Sequence, residues 1–229
     1  MTQTRPGRVG FALAPALLFA LGLSACTGQG GPDRIQSNPV RLDVLPLTIA
    51  SPSRDRSVIY GGQDDPQLTY SAGFMKRVGL GTISASSTLS WAPDSRSFYV
   101  NDSGNAEGSE LRLWRIGGRR AIAESPVVRH AAIQQLALRN RCASPDRMEY
   151  TTTALGWGEG GRTLYVLTGW HRQVNCPPET RVEAVVSRID VLTGKVEQTL
   201  PTDDARLAWP GLPLAESELT STAQSDAAP

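Results

Sequence analysis

Two stretches of the chain carry the same order of apolar and polar positions. Leu89-Ser90-Trp91-Ala92-Pro93-Asp94-Ser95-Arg96-Ser97-Phe98-Tyr99-Val100 recurs, 66 residues on and without a gap, as Leu155-Gly156-Trp157-Gly158-Glu159-Gly160-Gly161-Arg162-Thr163-Leu164-Tyr165-Val166. Each copy has an apolar-x-Trp entry, an acidic turn, a basic residue, a hydroxyl residue and an apolar strand. A fainter third copy is Ile49 to Tyr60, with Ser51 where the other two have Trp. The first two are followed by further strand patterns: Glu110 to Ile116, then Val185 to Val191, the turn Leu192-Thr193-Gly194-Lys195 and the strand Val196 to Leu200. Alternation bounded by Gly-containing turns marks antiparallel hairpins, and hairpins repeated around one Trp per unit read as blades of a propeller. The fold expected is all-β, with about three repeat units in a partial or propeller-like arrangement, or a β-sandwich or barrel built from the same hairpins. Helix is expected only near Val128 to Arg139, where Ala131, Ala132, Ile133, Leu136 and Ala137 fall at helical spacing.

Trp91-Ala92-Pro93-Asp94-Ser95-Arg96, then Phe98-Tyr99-Val100 and Asn101-Asp102-Ser103-Gly104-Asn105, resembles the repeat of TolB-like periplasmic β-propellers. There a Trp-Ser-Pro-Asp-Gly-Lys turn leads into an apolar strand and an Asp-Gly-Asn hairpin. The Trp157 copy departs from it at Gly158 and Glu159. Propellers close with about four to eight blades, so three units imply a fan whose strand edges need other cover.

The start of the chain is of another kind. Arg5 and Arg8 precede the apolar run Phe11 to Leu23, which is shorter than the roughly 20 apolar residues that span a bilayer and has the layout of an export signal. It ends in Leu23-Ser24-Ala25-Cys26, which resembles the bacterial lipobox. The resemblance implies cleavage after Ala25 and lipidation, including palmitate, on the Cys26 thiol; several acyl chains give stable anchoring. Thr27, not Asp, follows the cysteine, which favours the outer membrane, with the domain facing the periplasm. The organisation expected is a signal peptide over 1–25, a flexible tether over 26–39 rich in Gly, Pro and polar residues, the β domain over 40–212, and a disordered tail over 213–229.

Removing residues 1–25 takes Arg5 and Arg8 from the 23 basic residues and nothing from the 22 acidic ones, leaving a net charge of about −1. With no basic stripe, nucleic acid is excluded as a partner, because its binding rests on phosphate neutralisation. Three cysteines are present. With Cys26 lipidated outside the cytoplasm, Cys142 and Cys176 are expected to form a disulfide, contributing on the order of 3–4 kcal/mol in the chain-entropy view. Zinc is the competitor, with His130 and His171 as further ligands, but none of these four residues shows metal-ligand spacing.

Catalytic constellations are missing from the pattern. There is no Gly-x-Ser-x-Gly elbow. Gly156 to Gly161 precedes a strand, whereas a phosphate loop needs a helix start behind it. Asn101 to Glu110 is acidic without the EF-hand spacing and reads as a hairpin loop; Asp64-Asp65 and Asp203-Asp204 read as loop charges. Trp91 and Trp157 are expected in the core, whereas Trp170-His171-Arg172, past a strand end near Cys176, is the candidate ligand surface. No cofactor is implied. The expected role is non-catalytic binding or scaffolding at the envelope, with protein or peptidoglycan as partner. The alternatives are an envelope hydrolase or carbohydrate-binding accessory, and a metal-binding envelope protein. Peptide mass mapping of periplasmic material without reductant should recover Cys142 joined to Cys176; two free thiols refute the pairing.

Overall fold

The computed structural model describes residues 34–62, 66–73, 76–105, 108–117, 121–140, 150–170, 177 and 181–214. Strand β1 (Val40–Arg41) is followed by a sheet of β2 (Leu47–Ala50), β3 (Arg56–Gly61), β4 (Gln67–Ala72) and β5 (Lys76–Thr82). A second sheet consists of β6 (Thr88–Trp91), β7 (Ser97–Asn105), β8 (Gly108–Ile116) and β9 (Ile122–Glu124), with β1 beside β6. Helix α1 (Val127–Arg139) leads to the third sheet, β10 (Tyr150–Gly158), β11 (Thr163–Trp170), β12 (Ala184–Asp190) and β13 (Val196–Pro201), and α2 (Thr202–Ala208) follows. Every pairing is antiparallel. The fold is all-β, as the hairpin pattern indicates, with one repeat copy at the head of each sheet. No described helix is long and apolar enough to cross a membrane.

The sheets stack face to face without closing. Val58, Tyr60, Leu68 and Tyr70 of the first sheet share a core with Leu89, Trp91, Phe98, Val100 and Trp114 of the second. The opposite face of the second sheet, with Tyr99, Leu111 and Leu113, shares another with Trp157, Leu164, Val166 and Ile189 of the third and with Val128 and Ala132 of α1. Helix α1 falls where the spacing places it, and Val128, Ala132 and Leu136 form its buried stripe. The far face of the third sheet is closed by Ala205 of α2, Trp209, Ile35, Leu212 and Leu214. The far face of the first sheet is mostly polar: Ser57, Thr69 and Ser71 are half-buried beside Ile59, and Arg77 is exposed.

This division follows from strand alternation. Phe98 and Val100 look toward the first sheet and Tyr99 toward the third, so β7 is apolar on both sides. Leu164, Tyr165 and Val166 of β11 repeat that arrangement one sheet later. Hydrogen bonding corrects the register of the faint copy. Ser51 N–H donates to Arg56 O and Arg54 N–H to Ser51 O, as Ala92 N–H donates to Ser97 O and Ser95 N–H to Ala92 O. Arg54 and Ser95 both adopt left-handed backbone, at φ 59° and 60°. Ser51 therefore matches Ala92, not Trp91, and Ala50 holds the Trp position. The sequence match is one residue out of step because its apolar residues face the other way.

Three further points depart from expectation. Asp203 and Asp204 are not in a loop: they occupy the first turn of α2, where carboxylates suit the helix dipole. The folded part begins before residue 40, because Ile35 packs on the third sheet and Gln36 exchanges backbone hydrogen bonds with Trp157 at 2.8 and 2.9 Å. Leu214 packs there too, two residues past the expected boundary. Residues 1–33 and 215–229 lie outside the described residues.

Trp157 is 1% exposed and its ring lies 5.5 Å from Tyr99; Trp91 is 9% exposed and its Nε1 donates to Ile49 O at 3.3 Å. Trp91→Ala and Trp157→Ala should each lower stability by about 3–5 kcal/mol, measured by urea unfolding. A loss under about 1 kcal/mol at either position contradicts the packing described.

Candidate functional site

Of the surface expected at Trp170, His171 and Arg172, Trp170 alone lies among the described residues. Trp170 ends β11 half-buried, its ring 5.1 Å from that of its cross-strand partner Tyr150, and its Nε1 donates to Val182 O at 2.9 Å. Val182 is fixed in turn by fully buried Asn140, whose Oδ1 accepts from Val182 N and whose Nδ2 donates to Leu136 O and Val182 O. The indole therefore ties the helix end to the sheet, with its one donor used. His171, Arg172, Cys142, Cys176 and Cys26 lie outside the described residues. His130 is exposed on α1. Among the described residues no group of three His, Cys, Asp or Glu is placed to hold a metal ion.

The successive repeat turns meet at one end of the stack. Ser95 Oγ accepts from Ser53 N at 2.9 Å, and Ser95 O accepts from Arg56 Nη1 at 2.6 Å, joining the first turn to the second. The second turn rests on the third at Gly161, where φ is 98° and a Cβ would lie 3.0 Å from Ala92 Cβ and 3.2 Å from Pro93 Cδ. Only glycine meets both requirements.

Beside that contact, between the second and third sheets, is a notch of about 410 Å³ with Arg96, Arg115 and Arg162 in its walls along with Asp94, Asp190 and the apolar Ile116, Val191 and Leu192. Asp190 is fully engaged. Its Oδ1 accepts from Leu192 N, Thr193 N and Thr193 Oγ1 at 2.9–3.0 Å, and its Oδ2 accepts from Arg162 Nε at 3.0 Å. Burial pushes this carboxyl up, but the donors from Thr193, Arg162 and Leu192 outweigh burial and hold it at about 2.

Arg96 and Arg115 differ from Arg162. The backbone of Arg96 is pinned, N–H to Asp94 Oδ1 at 2.9 Å and C=O from Ile116 N at 2.8 Å, while its guanidinium has no hydrogen-bond or ion-pair partner among the described residues. Arg115 has one long bond, Nη1 to Leu192 O at 3.4 Å. A guanidinium carries five donors, so most of this donor capacity is unused among the described residues. Sequence reading reached Arg96 and Arg162 only as the basic residue of the repeat turn. Arg115, from a different hairpin, carried no signal linking it to them.

No family model, no curated protein and no solved structure matches this chain.

The Asp190 carboxyl lies below its ordinary value in the folded state. Its contribution to stability is therefore complete above about pH 3.8 and disappears as pH falls toward 2. Asp190→Asn should melt several degrees below the parent at pH 6, and the gap should narrow below pH 3. A gap unchanged across that range, followed by thermal denaturation, refutes the role given to this carboxylate.

Proposed function

We propose that this chain is an envelope lipoprotein, anchored through Cys26 and facing the periplasm from the outer membrane, that acts by binding a protein or peptidoglycan partner without turning a substrate over. What supports the anchor is the run Leu23-Ser24-Ala25-Cys26 behind an apolar segment of export length. The observation that carries the binding role is the notch: two guanidinia, on backbone held by turn and ladder hydrogen bonds, are left with little to bond within the domain. Unengaged arginine in a cleft suits recognition, since its planar fork bonds oxyanions at two points.

The anchor and the binding role are tested separately. A clickable palmitate analogue should label the wild-type chain in the membrane fraction, and Cys26→Ala should be unlabelled and recovered as an uncut or miscut precursor; equal labelling refutes the anchor. A photo-crosslinking residue at position 193, exposed at the notch, should trap a discrete partner in cells, whereas one at Leu207, 84% exposed on α2, should not. No adduct at position 193, or the same adducts at both positions, refutes binding through this end of the domain.

A further inference from the structure

Resting on that reading, we infer that the notch takes the carboxylate terminus of a peptide-like chain, with the carboxylate on Arg96 and Arg115 and the adjoining aliphatic group against Leu192 and the edge of Val191. Three observations lead there. The cavity, about 410 Å³, is in the range of clefts that hold small ligands, about 300–1,000 Å³. Its two walls differ: Arg96 and Arg115 come from the second sheet, and the third sheet gives the closed Arg162–Asp190 pair and the apolar run entering the Leu192–Lys195 turn, with Leu192 61% exposed. The charge balance favours a monoanion. Three guanidinia face two carboxylates, one of these pairs, Arg162–Asp190, is already closed at 3.0 Å, and Asp94 remains beside Arg96. A dianionic phosphate would meet Asp94 at close quarters, whereas a single carboxylate replaces water on two forks and needs no further positive charge.

Asp94 gives the inference its sharpest consequence. Its Oδ1 holds the Arg96 backbone N–H at 2.9 Å, an interaction an amide oxygen can keep, so Asp94→Asn preserves the turn and removes the competing charge.

The test uses the full-length chain in detergent micelles, ¹⁵N-labelled on arginine, and follows the Nε–H signals. N-acetyl-leucyl-leucine should shift the Arg96 and Arg115 signals saturably. Its C-terminal amide should bind at least about tenfold more weakly, the scale of one charge-assisted hydrogen bond. Arg96→Gln should weaken the acid by a similar factor without moving the thermal midpoint, since that side chain has no partner among the described residues, and Asp94→Asn should tighten it. Equal binding of acid and amide, absence of a saturable shift, tighter binding of inorganic phosphate, or weaker binding by Asp94→Asn overturns the inference. A crosslink at position 193 in cells with no response to the dipeptide removes the carboxylate chemistry and leaves the binding role standing. The reverse pair of results removes the envelope partner and leaves the chemistry.

Discussion

A stack of sheets that does not close on itself has two bare faces and a free edge on every first strand, and unpaired backbone there invites other chains. Each of these openings is met by a particular residue. Val40 and Arg41 pair with Leu89 and Thr88, covering the free edge of β6. Gln36 covers Trp157 on β10, and the buried Asn101 side chain reaches across from the second sheet to satisfy both Ala154 N and Ala154 O at 2.8 and 2.9 Å. The Trp91 indole caps Ile49 O on β2. Thus a segment before the first full sheet, one amide and one indole provide what a neighbouring strand would provide in a closed ring. The faces are finished differently at the two ends, by polar residues on the first sheet and by α2, Trp209 and the two chain-end segments on the third. Among the described residues the outer face of the first sheet is mostly polar, with Ile59 half-buried on it, and that of the third is covered.

The legible part of this architecture is the part written in alternation. Strands β7, β8, β11, β12 and β13, the burial of Trp91 and Trp157, and helix α1 all follow from periodic patterns within one segment. What the sequence could not show depends on which neighbour each face meets. The Ile49–Tyr60 copy matched one residue out of step because β3 has only one apolar side: Val58 and Tyr60 point to the second sheet, and Ser57 and Ile59, equivalent to Phe98 and Val100, have no sheet behind them. Helix α2 was missed because it is short and its two acids resemble loop charges until the chain behind them turns helical. The notch was illegible for a similar reason. Arg96 lies in the turn between β6 and β7, Arg115 on β8 of the same sheet and Leu192 in the turn after β12 of the next, so only the stacking of sheets unites them.

Several arginines outside the notch are paired, while Arg54 and Arg77, like Arg96, show no side-chain partner among the described residues. Arg112 makes a two-point pair with Glu124 at 2.8 and 3.0 Å and lies 4.8 Å over Trp114, Arg129 meets Glu110 at 2.7 Å, and Arg188 meets Glu197 at 2.6 Å. Pairs of this kind on a surface contribute little to stability, about 0–1 kcal/mol each. Their effect is to neutralise charge and orient side chains locally. Arg96 and Arg115 have carboxylates within the same walls and do not pair with them, because Asp190 is committed to its own turn and to Arg162, while Asp94 turns its Oδ1 to the backbone.

That arrangement bears on how well a partner could be held. A recognition site performs when its groups are fixed before the ligand arrives, and sites on strands and tight turns are fixed better than sites on long loops. Arg96 leaves a turn whose geometry is set by Ser95 at φ 60° and by contact with the turns on either side. Arg115 stands at the end of β8, within the β7–β8 ladder. The opposite wall is held by Asp190, which ties Leu192 and Thr193 into a closed turn. The groups that stabilise this end of the stack are therefore the ones that set the spacing across the notch: loss of the Asp190 turn would move Leu192 and leave the two arginines where they are. Fold stability and ligand affinity are separable at Arg96, whose guanidinium has no partner among the described residues, whereas Arg115 touches the opposite turn through its long bond to Leu192 O.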